Sequence, residues 1–400
     1  MIRHRHARFT IAAFTVASIG IVGCSSDGDS DVSTSTTSTV PRSAPLWGPP
    51  GTAALDSASV GKLQAALDAW VDAGHLIGLT AAVVTPDGVW SGAAGVDGAG
   101  TALQADSALS IMSISKTFTA AEVLLLSSRG LVDLDKPITD YIEVPFDTQG
   151  ATVRQLLAMR SGFPDYTTDP YLATVAADLG REWTVSEMLA TLPADASRLG
   201  TLGGEPRYNS INYNLLAEMV AKVTGQTFAQ AVRADLLDPA GLQRTWVQSG
   251  ETPTAPLTVG VEAPSSDVID PAGTFMPSRS FASFTIGGGS MAADAADVAQ
   301  WGYLLYGGQA IDSALVKEME ADPQPEPNLG HYALGVFVED YEGVTMLGHG
   351  GGGVDYPYTG VLEVFAGDAP ISIAVLTPQP ADLGEDIFDV FMQLYGVVAG

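Results

Sequence analysis

A serine followed three residues later by a lysine, at the start of a mostly apolar helix, is the feature that most constrains this chain. Ser113 and Lys116 stand within residues 110–120, and Lys116 is one of only five lysines in 400 residues. Residues 118–126 are largely apolar, which is typical of a helix buried inside a domain. If the helix begins near Ser113, the hydroxyl and the amine lie one turn apart on the same face.

This arrangement predicts a nucleophile and its base. Burial disfavours the charged form of an amine, so Lys116 could accept the Ser113 proton near neutral pH. The positive end of the helix would favour negative charge at that serine. The alternative is that Ser113 merely caps the helix, a common use of serine.

The same spacing occurs a second time, at Ser59 and Lys62. There it opens an ordinary amphipathic helix with Leu63, Leu67 and Trp70 on one face. We interpret Ser59 as lying near an N-cap and Lys62 as a solvated residue of the first turn. The Ser-x-x-Lys spacing alone therefore does not identify a catalytic pair.

Residues 1–23 have the composition of a signal peptide. Three arginines precede an apolar stretch that is too short for a permanent membrane span. The segment ends in Ile-Val-Gly-Cys, which resembles the lipobox of bacterial lipoprotein precursors. That resemblance implies lipidation of Cys24 and export to the outer face of the bacterial cytoplasmic membrane. Because Cys24 is the only cysteine, no internal disulfide can form; a free thiol behind a plain secretory signal is the alternative.

Residues 24–55 are rich in Ser, Thr, Asp, Pro and Gly, and they predict a flexible tether. The folded domain is then expected over residues 56–400. Without residues 1–23 the chain keeps 15 basic residues against 46 acidic ones, a formal charge of −31. Such a charge repels polyanions and argues against a nucleic-acid partner.

The order of predicted elements indicates an α+β fold. Residues 60–73 form a first helix, and residues 79–84 and 89–94 form a hairpin around Pro-Asp-Gly. Further helices are expected at 152–157, 211–224, 227–236 (ending before Asp238-Pro239), 293–306 and 386–398. The last third alternates like strands at 332–338, 344–347, 358–365 and 371–376. We expect one antiparallel sheet built from both chain ends, flanking helices, and an inserted, mainly helical lobe.

Two further clusters could complete a site around Ser113. Tyr208 precedes a helix, and a nearby Lys116 would lower the pKa of its phenol so that it could shuttle a proton. His349 begins the run His-Gly-Gly-Gly-Gly after an apolar strand, where free backbone N–H groups can bind an oxyanion. The alternatives are a packing aromatic for Tyr208 and a surface loop for the glycines.

Taken in order, Ser-x-x-Lys, a Tyr motif and His-x-Gly resemble the serine β-lactamase and penicillin-binding-protein superfamily. The likeness is nearest to class C β-lactamases, D-alanyl-D-alanine carboxypeptidases and related esterases, and covers about residues 57–396. It also rests on residues 161–166, 223–228, 287–291, 301–302 and 332–335. The resemblance implies an α/β sandwich of the β-lactamase/transpeptidase type. It further implies these roles: Ser113 as acylated nucleophile, Lys116 as base, Tyr208 as proton carrier, His349 at the site-edging strand, Ser113 and Gly352 as oxyanion N–H donors, and Ser210, Gly350 and Gly351 as substrate contacts.

One departure from that family bears on the substrate. Ser210 stands where the family has asparagine, and Asn209 comes one position early; a hydroxyl cannot replace an amide as both donor and acceptor. His349 is expected to be only partly charged at neutral pH, and Asp355 follows it in the loop. A substrate carboxylate would therefore meet less positive charge than a lysine gives.

The leading hypothesis is an exported serine hydrolase that cleaves a small ester or amide through an acyl-enzyme. An esterase or D-alanyl-D-alanine carboxypeptidase or D-aminopeptidase activity is ranked above a class C-like β-lactamase. A tethered penicillin-binding or sensor protein without turnover is the non-enzyme alternative. An α/β-hydrolase is disfavoured because no Gly-x-Ser-x-Gly occurs, and scattered histidines give no metal-ligand spacing. We expect no cofactor and a small-molecule or peptidoglycan-derived substrate. We expect the membrane contact to be through Cys24 only, and the pocket walls to come from loops 164–206 and 250–285. The oligomeric state is left open.

Overall fold

The first strands of the chain pair with its last strand in one antiparallel sheet. The computed structural model describes residues 42–165, 173–175, 177–192, 196–261, 278–327, 329–353 and 356–400. The sheet consists of β1 (Gly78–Val84), β2 (Val89–Gly95), β6 (Gln324–Glu326), β7 (Gly330–Tyr332), β8 (Phe337–Tyr341), β9 (Val344–Gly351), β10 (Thr359–Phe365) and β11 (Ile371–Thr377). Its spatial order is β2-β1-β11-β10-β9-β8-β7-β6.

A second sheet of three short strands supports the segment before Ser113. Its order is β3 (Leu109–Ser110), β5 (Met291–Ala293) and β4 (Trp246–Val247). Leu109 pairs with Ala293, and Ser110 pairs with Ala292. The backbone just before the Ser-x-x-Lys motif is thereby fixed by a strand from the middle of the chain.

The helices of the described ranges fall into two groups, one at the chain ends and one in the lobe between them. The chain-end helices are α1 (Ser57–Asp72) and α10 (Phe388–Ala399), the latter preceded by a π-helical turn Leu383–Ile387. Between them lie α2 (Ser115–Ser128), α3 (Val153–Leu157), α4 (Val185–Leu189), α5 (Ile211–Thr224), α6 (Phe228–Val232), α7 (Arg279–Phe284), α8 (Ala295–Tyr306) and α9 (Ser313–Glu320).

Each face of the large sheet covers its own apolar core. On one face, Leu63 and Leu67 of α1 and Phe391 of α10 pack with Ile373 and Val375 of β11. On the other face, the neighbouring residues of β11 join the core of the helical lobe. The alternation follows from the two-residue period of a strand, and it explains why β11 is apolar throughout.

The α+β prediction is confirmed, including the sheet built from both chain ends. Thr80 of β1 lies opposite Leu376 of β11, although nearly the whole domain separates them in sequence. The hairpin β1–β2 has the predicted turn at Pro86-Asp87-Gly88. The helical segments between Ser113 and Tyr306 form the predicted lobe.

Several predicted element boundaries are wrong. The single strand expected at 332–338 is two strands, because residues 333–336 turn and Gly335 takes a φ of +83° against α2. A Cβ on Gly335 would lie 2.4 Å from the Cβ of Ala120. The helix expected to end before Asp238-Pro239 widens into a π-helical turn, Arg233–Leu237, and continues over Asp238–Ala240. Helix α9 was not predicted, and α1 is capped by Asp56 rather than near Ser59.

The end of the predicted tether is also wrong, because residues 42–55 lie against the domain. Leu46 N donates to Gly307 O at 2.8 Å, and Gly51 N donates to Thr85 O at 2.8 Å. The Trp47 indole packs edge-on against Tyr303 with ring centroids 5.9 Å apart. The compact unit therefore begins at Arg42 instead of residue 56.

The predicted signal peptide, Cys24 and the rest of the tether lie outside the described residues, as does Asp355. Parts of the two predicted pocket loops, 166–172 and 262–277, also lie outside them. Within the part that the structure describes, no helix combines the length and the apolar composition needed to cross a membrane.

Candidate active site

Ser113 stands in a tight turn that leads from β3 into α2. The turn, Met112–Ile114, is a 3₁₀ helix, and Met112 has a φ of +48°, a strained conformation for a residue with a side chain. Ser115 fixes the turn because its hydroxyl donates to Met112 O at 2.6 Å and accepts from Met291 N at 3.1 Å. Ser113 is half-buried, whereas its neighbours in the turn are buried. The strained turn therefore presents Ser113 to the outside.

Lys116 lies beneath Ser113, fully buried, as the sequence predicts. Its Nζ lies 2.9 Å from Ser113 Oγ, 2.7 Å from Gly288 O and 3.3 Å from Ser210 Oγ. Burial lowers the pKa of Lys116 to about 7, and the nearby charge of Asp165 opposes that shift. A large fraction of the amine is therefore neutral at neutral pH and able to take a proton.

Tyr208 approaches the same hydroxyl from the segment before α5. Its phenol lies close enough to the Ser113 side chain to interact with it, and its ring centroid lies 4.9 Å from Lys116 Nζ. The predicted lowering of its pKa is wrong: burial raises the pKa of Tyr208 above the ordinary range, and the Ser113 contact opposes this only in part. Tyr208 is consequently a neutral phenol that can accept and donate a proton but does not ionise near pH 7.

Asn209, which comes one position before the place where the family has asparagine, has a structural role. Asn209 is 1% exposed, and its Nδ2 donates to Phe163 O at 2.8 Å and Pro164 O at 3.0 Å. Its Oδ1 accepts from Ile211 N at 2.8 Å, so the amide is fully used in holding the loop. Ser210 instead faces Lys116 and lines the cavity. The family amide is therefore absent from this position, as the sequence predicts.

The last residues of β9 form a free strand edge beside Ser113. Strand β8 pairs with β9 only as far as Gly348, so no described strand pairs with residues 349–351 on that side. A Cβ on Gly351 would lie 3.0 Å from Ser113 N. Gly352 has a φ of +81°, and a Cβ there would lie 1.9 Å from Tyr358 O. Only glycine allows this close approach.

His349 is on β9 where predicted, but it is not partly charged. It is 1% exposed, and burial together with the charge of Lys116 lowers its pKa to about 3. Its Nδ1 lies 2.5 Å from Gly350 O, which only accepts, so Nδ1 carries the proton. Nε2 then accepts from the Tyr332 hydroxyl at 3.3 Å. The expectation of a partial positive charge is wrong because the ring is almost fully buried and lies near the Lys116 amine.

These residues share one cavity of about 630 Å³. Ser113, Tyr208, Ser210, His349 and the glycines at 350–352 all line it. Asp165 and Phe281, from the two loops predicted to wall the pocket, also line the cavity. The sequence did not single out four further lining residues: Tyr356, Glu363, Leu383 and Phe388. Its acidic lining residues are Asp165, Glu339 and Glu363, and no lysine or arginine stands among the lining residues of the described ranges.

The order and geometry of these groups can be compared with known proteins. The sequence profile of the family described as Beta-lactamase matches residues 63–389 of this chain. The chain belongs to the β-lactamase family. The contact between Ser113 and Lys116 and the adjoining glycine edge both lie within the region that this family profile matches.

Two similar proteins carry names that describe different functions, a penicillin-binding protein and an aminopeptidase. Penicillin-binding protein 4* of Bacillus subtilis (strain 168) is 28% identical over 151 residues, covering 36% of this chain and 32% of its own length. A D-aminopeptidase of Brucella anthropi is 24% identical over 267 residues, covering 63% of this chain and 46% of its own length. The chain therefore spans less than half the length of each of these relatives.

Solved structures extend the likeness over most of the chain. The D-amino acid amidase of Ochrobactrum anthropi SV3, in its complex with L-phenylalanine amide, superimposes with a TM-score of 0.72 at 22% identity. The match covers 86% of this chain and 99% of the amidase. At this identity the comparison establishes the shared fold.

Proposed function

We propose that this protein hydrolyses a small amide or ester through an acyl-enzyme on Ser113. The observation that carries the proposal is the 2.9 Å contact between Ser113 Oγ and the buried Lys116 Nζ, whose pKa is about 7. A serine hydroxyl is a weak nucleophile until a positioned base takes its proton. Lys116 can act as that base without a metal or an organic cofactor.

In the acylation step, Ser113 Oγ attacks the substrate carbonyl carbon as its proton passes to Lys116. The carbonyl oxygen becomes an oxyanion, which the backbone N–H groups of Ser113 and Gly352 would stabilise. Tyr208 then relays a proton to the leaving nitrogen or oxygen, and the bond to the leaving group breaks. An ester between the acyl group and Ser113 remains.

In the deacylation step, water attacks this ester and its proton passes to the neutral Lys116 amine, either directly or through Tyr208, which accepts one proton as it gives up its own. The second tetrahedral intermediate collapses, the acid is released, and Ser113 Oγ takes back a proton. Ser210 helps to hold the Lys116 amine throughout, because its Oγ lies 3.3 Å from Nζ. The free edge at Gly350 and Gly351 offers backbone groups to the substrate.

The charge of the cavity favours neutral or cationic substrates over anionic ones. Its lining residues include three carboxyl side chains, of which Glu363 is largely protonated near neutral pH because its pKa is about 8. Among the residues that the structure describes, the basic side chain that contacts Ser113 is Lys116, which is partly neutral. His349 adds no positive charge. We therefore rank an amide, ester or peptide of a D-amino acid, the substrate type named for two relatives, above a carboxylated β-lactam.

The test is a panel of D- and L-amino acid p-nitroanilides, a short aryl ester, a D-Ala-D-Ala peptide and nitrocefin. We expect Ser113→Ala to abolish hydrolysis and labelling by a fluorescent phosphonate. Ser59→Ala is the matched control, because it removes the serine of the other Ser-x-x-Lys copy. Full activity of Ser113→Ala would exclude the mechanism. Labelling without turnover on every substrate would favour a penicillin-binding or sensor protein, and turnover restricted to nitrocefin would favour a β-lactamase.

We also propose that the protein is exported and lipid-anchored through Cys24. The support is the residue pattern alone: a basic start, an apolar stretch and Ile-Val-Gly-Cys. Full-length protein expressed in a bacterial host should incorporate radiolabelled palmitate, and Cys24→Ser should lose the label. Equal labelling of both would exclude the anchor.

A further inference from the structure

The cavity extends from Ser113 past β9 to a second acidic residue, Glu363 of β10. Glu363 lies opposite Gly348 in the sheet, and a Cβ on Gly348 would lie 2.1 Å from Glu363 Oε2. The carboxyl group therefore lies across Gly348, in the space that any other residue at that position would fill. Glu363 is 8% exposed and lines the cavity.

The Glu363 carboxyl lacks the partners that a buried acid normally has. Within the described ranges it forms no hydrogen bond or ion pair. Burial and the neighbouring charge of Glu339 raise the pKa of Glu363 to about 8. Glu339 itself is occupied, because it accepts from His331 N at 2.6 Å and lies 3.3 Å from the His331 ring nitrogen. Buried polar groups without partners are rare and costly.

The walls around this carboxyl are apolar. Met346 and Val361 come from the sheet, and Leu383 and Phe388 come from the chain end that covers it. Such walls exclude water and strengthen any charge interaction inside them. The position of Glu363 thus combines a fixed carboxyl with an unfilled, low-dielectric space.

The strand geometry sets a lower limit on the distance from the reacting atoms. Gly351 lies against Ser113 N, and Gly348 precedes Gly351 by three residues. A strand rises about 3.3 Å per residue, so Gly348 lies about 10 Å from Gly351 along β9. Gly348 and Gly351 face opposite sides of the strand, so the Glu363 carboxyl lies farther than this from Ser113. A ligand group that reaches it must belong to a substrate longer than a single small residue.

We propose that Glu363 forms a subsite for a primary ammonium group, carried by the acyl or leaving group more than about 10 Å from the scissile bond. An ammonium supplies the positive charge and the hydrogen-bond donors that this carboxyl lacks. The proposal deepens the proposed function and rests on it. It assigns the site a preference for substrates with a terminal amine, such as an ω-amino acyl chain or a lysine-like side chain.

The test compares aryl esters of straight-chain acids that end in –NH₃⁺ with esters of equal length that end in –CH₃. A second series places the same two ends on the leaving amine of an amide. We expect wild type to favour the ammonium end in one series at a chain length of more than about 10 Å. Glu363→Gln should reduce the ratio of the two kcat/KM values by about 10- to 100-fold, the effect of one charge-assisted hydrogen bond.

Glu385→Gln is the matched control. It removes an exposed carboxylate two residues from the lining residue Leu383 and should leave the ratio unchanged. A wild-type ratio near one at every length in both series would overturn the subsite, and so would an unchanged ratio in Glu363→Gln. The wild-type comparison decides the question even if Glu363→Gln does not fold.

Failure of the proposed function gives a different result, in which no ester or amide is cleaved. In that case, calorimetric binding of octylammonium to wild type and Glu363→Gln tests the subsite directly. Binding that is at least tenfold tighter in wild type would support the subsite, and equal binding would overturn it.

Discussion

The Lys116 amine donates to the carbonyl oxygen of Gly288 at 2.7 Å, a shorter contact than the 2.9 Å between the amine and Ser113 Oγ. A carbonyl only accepts, so one N–H of Lys116 points at Gly288 in both protonation states. Ser210 Oγ can take the second N–H. The third position of the nitrogen, a lone pair or an N–H, is then directed at Ser113. The base is therefore aligned before any substrate binds.

The first prediction concerns pH. Lys116 must be neutral to take the Ser113 proton, and its pKa is about 7, so kcat/KM should rise about tenfold per pH unit below 7 and level off above it. The raised pKa of Tyr208 predicts no fall on the alkaline side below pH 9. The measurement is kcat/KM for an uncharged aryl ester from pH 5 to 9, with the melting temperature recorded at each pH. A profile that is flat between pH 6 and 8 would contradict the assignment of Lys116.

The second prediction concerns Tyr208. Tyr208→Phe removes the phenol that contacts Ser113 while retaining the ring beside Lys116. We expect kcat to fall by about 10²- to 10⁴-fold with a small change in KM, which is the usual loss of a general acid. Tyr395→Phe, on the opposite face of the sheet, is the control and should behave as wild type. A KM effect without a kcat effect would show that Tyr208 only binds substrate.

The third prediction concerns the glycine edge. A Cβ on Gly351 would lie 2.5 Å from Ile111 O and 3.0 Å from Ser113 N, so Gly351→Ala must push β9 away from the nucleophile. We expect at least a hundredfold loss of kcat/KM and a loss of about 1–3 kcal/mol in the free energy of unfolding. Gly61→Ala, where an added Cβ meets nothing within 4 Å, is the control. Wild-type kinetics in Gly351→Ala would refute the close approach.

The fourth prediction concerns Asn209. Asn209→Ala leaves the carbonyl oxygens of Phe163 and Pro164 without their donors and Ile211 N without its acceptor. We expect the free energy of unfolding to fall by about 1–3 kcal/mol, measured by urea denaturation. Asn209→Asp keeps the acceptor and should still lose most of this stability. No change in either variant would mean that the loop is held by other contacts.

The sequence predicts the local part of this site well. Ser113 and Lys116 are three residues apart in a helical segment, so their contact depends only on helix geometry. The burial of Lys116 follows from the apolar residues after it in α2. The free glycine edge follows from a glycine run directly after a strand.

The sequence fails where distant elements set the environment of a side chain. The pKa of Tyr208 moves in the opposite direction from the prediction because packing outweighs the effect of the nearby amine. His349 is neutral because it is buried among rings from several segments, including Tyr332 and Phe337, and lies near the Lys116 amine. Asp165 lies in a stretch that resembles the family, yet nothing local indicates that it lies near Lys116.

Glu363 shows the same limit. It occupies an ordinary strand position in Val-Leu-Glu-Val-Phe, where an acid normally points to solvent. Its burial results from the chain end that covers this face, and its access to the cavity results from two glycines on the next strand. The covering chain end and the two glycines are brought to Glu363 by the fold, so no local sequence pattern indicates either of them.

The pairing of β1 with β11 determines how late in synthesis the domain can complete its fold. Thr80 meets Leu376, and the Trp70 indole donates to Gln393 at 3.0 Å, so these contacts close loops of about 300 residues. Contacts of such high sequence separation form late, and they slow folding. During synthesis, Ser113 and Lys116 emerge long before Gly351 does. The nucleophile therefore stays without its facing strand until almost the entire polypeptide has left the ribosome.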